Sequence, residues 1–258
     1  MTDPFPLPDR TTQTAISLTL AAMIAGAWLG IHFYGMFVFE LRWASLPVAL
    51  GLAAVQCWLS VGVFIITHDA MHGSLAPGRP WLNSAIGAVL LALYAGFSWR
   101  RMRDAHFTHH KLSGHAGDPD FDEHNPSHFA RWYWTFFKRY FGFQSLLFVH
   151  AVVALYWFVF DVPFIQIFVL YGVPALLSSL QLFYFGTFRP HHHAAGQPFA
   201  DKHNARSNDF GALASLATCF HFGYHLEHHR APSVPWWALP AAKKAGVGAA
   251  EEGHKNTA

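Results

Sequence analysis

The chain reads as an all-α integral membrane protein. It is expected to have four transmembrane helices, re-entrant or interfacial helices between them, and a cytoplasmic cap rich in histidine. Three observations lead there. Of 258 residues, 53% are hydrophobic and only 12% charged, against roughly 25% charged in soluble domains. The apolar residues gather in four runs close to the length of about 20 residues that a helix needs to cross a bilayer. Eight histidines fall in three short clusters beside those runs: His68 and His72; His106, His109 and His110; His225, His228 and His229.

The first run, roughly Ala15 to Phe37, follows a segment with three prolines, one arginine and no A-x-A-like cleavage site. It is therefore expected to stay as an uncleaved span and not to act as a signal peptide. The second run, Leu46 to Thr67, ends on the first histidine cluster. The third and fourth, Phe143 to Phe160 and Phe164 to Phe185, are parted only by Asp161-Val162-Pro163, a tight turn. The third is short at its edges, where Tyr156 and Trp157 suit a membrane interface. A fifth stretch, Trp81 to Trp99, is expected to be a re-entrant or interface-lying pair of short helices. A full crossing there would put the first two histidine clusters on opposite faces, and Pro80, Gly87 and Gly96 weaken a continuous helix. Residues 1–240 read as one domain. Residues 241–258, small and polar, read as a flexible tail.

Charge orients these spans. With the N-terminus inside, only Arg42 of the 17 Lys and Arg residues lies in an outer loop, which is the positive-inside pattern. All three histidine clusters then face the cytoplasm. A net charge of +2 with no long basic run gives no footprint for nucleic acid. Cys57 and Cys219 match neither a disulfide framework nor a CxxC site and read as buried free thiols. No GxGxxG nucleotide motif is present, and no nucleophile constellation is visible.

The clusters carry the chemistry. Their words are His68-Asp-Ala-Met-His72, His106-Phe-Thr-His109-His110 and His225-Leu-Glu-His228-His229. Residues at i, i+3 and i+4 of a helix are neighbours on its surface, so each cluster can aim several imidazoles at one point. Neutral imidazole is the commonest ligand for first-row transition metals. A structural zinc ion takes only four ligands, so eight converging histidines point to two ions. A membrane zinc hydrolase fits less well: it would have glutamate where Asp69 stands, and its three or so ligands leave most of the boxed histidines unexplained. A metal transporter would hold its ligands within the spans, near the midplane. A bis-histidine haem carrier would show a Soret band.

These three words, set between paired apolar runs, resemble the histidine boxes of the membrane fatty-acid desaturase and hydroxylase superfamily. Within it, further words resemble the bacterial β-carotene C-4 ketolases. They are Thr67-His-Asp-Ala-Met-His-Gly73, Asp118-Pro-Asp-Phe121, His203-Asn-Ala-Arg-Ser207, Cys219-Phe-His-Phe-Gly-Tyr-His225 and Val234-Pro-Trp-Trp237. The resemblance runs from about residue 15 to about residue 240. It implies a bacterial inner-membrane enzyme with a non-haem di-iron centre that uses O2 and two external electrons from a ferredoxin-type donor. Its substrate would be β-carotene or a related carotenoid. The C-4 methylene would be hydroxylated twice and the geminal diol would lose water, giving echinenone and canthaxanthin, or astaxanthin from zeaxanthin. A carotenoid hydroxylase or an acyl-lipid desaturase would use the same site.

The superfamily usually supplies about nine histidine ligands, one beyond the three boxes. His191, after the fourth span, is favoured because an extra ligand near that position recurs in the superfamily. His221 is the other candidate, as ligand or as a donor beside one. Asp69, Asp118 and Glu227 are candidates to accept the second ring N–H of a ligating imidazole. His32 and His150, on apolar runs, are expected to be satisfied by backbone carbonyls. Aromatic candidates for the walls of a substrate groove are Phe64, Tyr94, Phe97, Trp99, Phe107, Phe183, Tyr184, Phe188, Phe222 and Tyr224.

Overall fold

A computed structural model describes residues 5–193, 199 and 202–247, and among them every regular element is helical. Asp9 starts α1 (Arg10–Phe37): its carboxylate accepts from the Thr11 and Thr12 amides, satisfying helix-start donors that would otherwise be orphaned. The cap extends the helix five residues before the apolar run. α2 (Leu46–His72) is the hub, with 61% of its apolar window buried against 22% for α1 and 28% for the last long helix. It stops at Gly73, which takes the left-handed φ of 76° and returns its N–H to the Asp69 and Ala70 carbonyls, an arrangement glycine tolerates without strain. The first histidine box therefore forms the final turn of the most buried helix.

α3 (Pro80–Ala95) and α4 (Trp99–Leu112) meet at 102° across Gly96. The expected pair of short helices within Trp81 to Trp99 is instead one unbroken helix followed by the helix of the second box. Gly87 does not break α3. The Trp99 ring lies against it, where a Cβ would sit 2.0 Å from Cζ3, so the glycine serves close packing.

α5 (Phe129–Tyr140) bends by 82° into α6 (Phe143–Val159). α7 (Phe164–His191) is long and apolar and contains two π-helical stretches, Phe168–Gly172 and Tyr184–Phe188. Three helices (α1, Trp43–His72 with α2, and α7) are long and apolar enough alone to cross a membrane, and five if each bent pair is one crossing. Short helices follow: α8 (Ala212–Cys219), α9 (His225–Arg230) and α10 (Leu239–Lys244). Ala242 and Val247 are buried with Tyr224, Val234 and Leu239, so the packed chain continues past residue 240; residues 248–258 lie outside those described.

The main core joins Ala21, Ile24 and Trp28 of α1 to Leu59, Val63 and Ile66 of α2 and to Phe220 and Phe222. A second core of Met36, Ala49, Ala53, Ile167 and Leu170 closes the far ends of α1, α2 and α7. Between membrane helices such contacts gain from close packing and not from leaving water, since lipid tails are as apolar as the side chains. His150 finds the expected carbonyl, Leu146 O at 2.8 Å, whereas His32 Nε2 pairs with the Tyr156 hydroxyl at 2.7 Å and so ties α1 to α6. Cys57 and Cys219 are buried free thiols.

Candidate metal centre

Four helices bring their histidines together: His68 and His72 from α2, His106, His109 and His110 from α4, His191 from the end of α7, and His225, His228 and His229 from α9. All nine fall into two groups whose ligand nitrogens lie within 4.8 Å of one another. One is His68, His72, His106, His110 and His228; the other is His109, His191, His225 and His229. Neither contains a carboxylate or a thiolate.

The second and third boxes do not aim at one point each. They straddle the two groups, and helix geometry says why. Residues i and i+4 lie about 40° apart around the axis, while i+3 falls about 60° to the other side of i. Each i, i+4 pair shares a group: His68 with His72, His106 with His110, and His225 with His229. Each i+3 residue, His109 or His228, crosses to the other. The second group thus has one pair and one crossing residue from the boxes, and His191 completes it. His221 stays outside both groups, its ring 6.1 Å from the Trp236 ring and 6.0 Å from that of Tyr224.

The residues fit metal ions. Nε2 atoms meet at 2.6 Å between His72 and His106, 3.0 Å between His110 and His228, 2.9 Å between His191 and His225, and 3.0 Å between His225 and His229. His225 Nε2 thus has two nitrogen neighbours, and one proton cannot serve both. Two nitrogens bound at right angles to one ion, each at about 2.1 Å, stand roughly 3 Å apart. His68 is 3% exposed and has no hydrogen-bond partner on either nitrogen, yet its ring lies 4.4 Å from those of His106 and His228. A buried imidazole without partners is costly unless a cation takes its lone pair. Burial holds His225, His228 and His229 well below the ordinary imidazole range, which keeps them neutral and able to donate.

The surrounding groups fix ring orientation. Asp118 accepts from His109 Nδ1 with both oxygens at 3.0 Å, and also from the Gly114 and Asp120 amides at 2.8 Å. Burial pushes the Asp118 carboxyl up, but the His109 hydrogen bond and the two amides outweigh it and hold the group below the usual carboxylate range. The Asn204 carbonyl accepts from His191 Nδ1 at 2.8 Å, while the Asn204 amide donates to Ser113 O at 2.9 Å. Asn204 sits at φ 45° within the word His203-Asn-Ala-Arg-Ser207, but its contact to the ring is made by the backbone carbonyl, which no side-chain pattern encodes.

Asp69 and Glu227 stand elsewhere than expected. Asp69 accepts from the Trp236 backbone N–H at 3.0 Å, tying the last loop to α2, while its other oxygen lies 3.8 Å from His68 Nδ1, too long for a hydrogen bond. Glu227, also buried, accepts from the Ser207 hydroxyl and lies 4.0 Å from Lys243 Nζ. Tyr140 donates to Asp120, whose other oxygen is 3.8 Å from His109 Nδ1.

An apolar cavity of about 350 Å³ reaches His68, His106, His109 and His225, and so touches both groups. Of the aromatic residues expected in a groove, Phe64, Tyr94, Phe97 and Phe222 line it. Trp99, Phe107, Phe183, Tyr184, Phe188 and Tyr224 do not. Phe136, Phe137, Tyr140 and Phe141 from the bend between α5 and α6 take their place; their approach depends on where α5 docks.

Comparison with known proteins gives a consistent picture. The sequence profile of the fatty acid desaturase family matches residues 41–160 and 142–256. A protein named Beta-carotene ketolase from Paracoccus sp. (strain PC1) is 45% identical over 240 residues, covering 93% of this chain and 97% of that protein. One of the same name from Haematococcus lacustris is 32% identical, covering 89% of this chain and 79% of the relative. Zeaxanthin 4-ketolase from Chlamydomonas reinhardtii is 32% identical over 94% of this chain and 56% of its own length.

Proposed function

The chain belongs to the fatty acid desaturase family, and from that premise we propose that it is a carotenoid ketolase, an oxidoreductase that converts the C-4 and C-4′ methylenes of β-ionone rings to ketones. One observation carries the reading: an apolar cavity ends on two all-histidine groups, in a chain that aligns over nearly its whole length with proteins named Beta-carotene ketolase. Products would be echinenone and canthaxanthin from β-carotene, and astaxanthin from zeaxanthin.

His68, His72, His106, His110 and His228 would hold one iron, and His109, His191, His225 and His229 the other. Two bound irons would supply the activation of O2 and the removal of hydrogen from an unactivated C–H bond. Each of two hydroxylations at one carbon takes up one O2, two electrons and two protons, and the resulting geminal diol loses water to leave the ketone. No nucleophile is needed. Asp118 and the Asn204 carbonyl hold the Nδ1–H of His109 and His191, which keeps Nε2 free to donate. Phe222, Phe64 and Met71 line the cavity beside His68 and keep water from the reacting carbon.

The charge pattern supports four crossings with the N-terminus and histidine boxes on the cytoplasmic face of a bacterial inner membrane. Arg100, Arg101, Arg103 and Lys111 are exposed on α4, the helix that carries the second box. A ferredoxin-type donor, acidic on its docking face, would be steered there. The test is pigment analysis of a β-carotene-producing bacterial host expressing the chain. Echinenone and canthaxanthin are expected. Hydroxylated carotenoids would make the protein a hydroxylase, and unchanged β-carotene, with protein and donor present, would overturn the carotenoid reading.

A further inference from the structure

The cavity has a second end, away from the histidines, and its course follows one face of α7. Phe168 and Leu176 on this face are 49% and 53% exposed, whereas Thr187, beside the histidines, is 6% exposed. Between them Ser179 is half-buried. From Phe168 to Thr187 the helix advances about 28 Å at its ordinary rise, close to the roughly 30 Å hydrocarbon depth of a bilayer. The outer end is lined by apolar side chains on a helix long and apolar enough to cross a membrane, so it opens toward lipid.

Two hydroxyl pairs lie along this course. The Tyr94 hydroxyl pairs with Ser178 at 2.8 Å and that of Tyr133 with Ser179 at 3.3 Å. Among the described residues, the one carboxylate in the lining is Asp120, which lies at the histidine end. No Lys or Arg among them lines the groove to pair with a carboxylate or a phosphate headgroup, and the polar group at its outer end is the Tyr171 hydroxyl. Gly172 and Ala175 of α7 and Phe137 and Phe141 from the bend between α5 and α6 line it.

We propose that this groove is the binding site for the whole hydrocarbon rod of the carotenoid, which enters sideways from the bilayer at Phe168–Leu176 and lies along α7. The reacting ring sits at Thr187 and Phe222, and the distal ring lies at the lipid-facing mouth. This rests on the ketolase reading for the identity of the occupant. It follows that one ring is oxidised per binding event, and the molecule must leave and turn round before the second.

Ala175→Cys and Leu177→Cys test it on the iron-loaded protein in detergent, with no electron donor present so that no turnover occurs. Leu177 is 48% exposed but does not line the groove, and the native thiols, Cys57 and Cys219, are 7% and 0% exposed. β-Carotene should slow N-ethylmaleimide labelling at position 175 severalfold and leave position 177 unaffected. Equal protection at both, or at neither, would overturn the groove. A second variant, Gly172→Leu, meets no clash at Cβ, where the nearest atom is Phe168 Cδ2 at 3.8 Å. It should keep its iron and lose about tenfold in β-carotene conversion through filling of the groove; undiminished conversion would overturn the proposal. Protection at 175 without ketone in the pigment assay would reject the ketolase reading and keep the groove. Ketone without protection would do the reverse.

Discussion

His109 and His110 are adjacent on α4, yet they belong to different groups of metal-ligand nitrogens: His110 with His72 and His106, and His109 with His191 and His225. A single box therefore braces both groups, and His228 and His229 repeat the arrangement on α9. The two sites cannot be assembled independently.

This split predicts the effect of single replacements on metal content. His110→Ala and His228→Ala should each weaken the first site, and His109→Ala and His229→Ala the second. Iron per chain should fall from about two toward one, with ketone formation lost by more than about 100-fold, since even partners behind the ligands are worth 10–100-fold. Iron analysis of purified protein, alongside pigment analysis, checks this. Full activity in any of the four would reject the assignment of that residue.

His191 and His221 are separable. His191→Ala should abolish ketone formation, while His221→Ala, which touches neither group, should retain most of it. The reverse result in the pigment assay would move the ninth ligand to His221.

Asp118→Asn keeps the side-chain shape and removes the charge that faces His109 Nδ1. Metal affinity or activity should fall by about 10–100-fold, and Asp69→Asn, whose carboxylate hydrogen-bonds the Trp236 amide and stands 3.8 Å from His68 Nδ1, should have a clearly smaller effect. Competition with a chelator of known affinity measures both.

Chelation should lower thermal stability as well as activity, because an ion that binds only the folded chain stabilises it by about 2.7 kcal/mol at a concentration 100-fold above its Kd. The metal-free chain should also lose stability as pH falls below 6.5. His225, His228 and His229 are held neutral by burial well below that ordinary value, so below pH 6.5 the unfolded chain takes up protons that the folded chain refuses. Thermal unfolding in detergent between about pH 5 and 8 reads the slope; stability that rises on acidification would contradict it.

Gly96 stands at φ 66° where α3 turns into α4, and an added Cβ would meet Phe148 Cβ at 2.6 Å. Gly96→Ala should destabilise the chain by about 1–3 kcal/mol from the backbone alone and tilt α4 with its three histidines. Loss of iron in parallel with a lowered melting temperature is the expected result.

What was legible beforehand follows from local chemistry. Helix-forming apolar runs and histidines at i, i+3 and i+4 are properties of contiguous residues, so the helical class and the eight boxed histidines could be read directly, and the pattern of Lys and Arg suggested an orientation. The aromatic walls were read poorly. Phe137 and Phe141 reach the cavity only because α5 bends by 82° into α6, and no periodicity within Phe129–Tyr140 encodes where that helix docks.

By itself, then, the sequence determined the donors, their helical spacing and the apolar elements that carry them. Tertiary structure decided which donors share a group. It placed His191 in the group that lacked a second pair, turned Asp118 and the Asn204 carbonyl toward ring N–H groups, and left Asp69 and Glu227 to tie loops together. The reason is physical: spacing along one helix sets angles about its own axis, but the meeting of four helices depends on how their buried faces pack, and that information is spread over the whole chain.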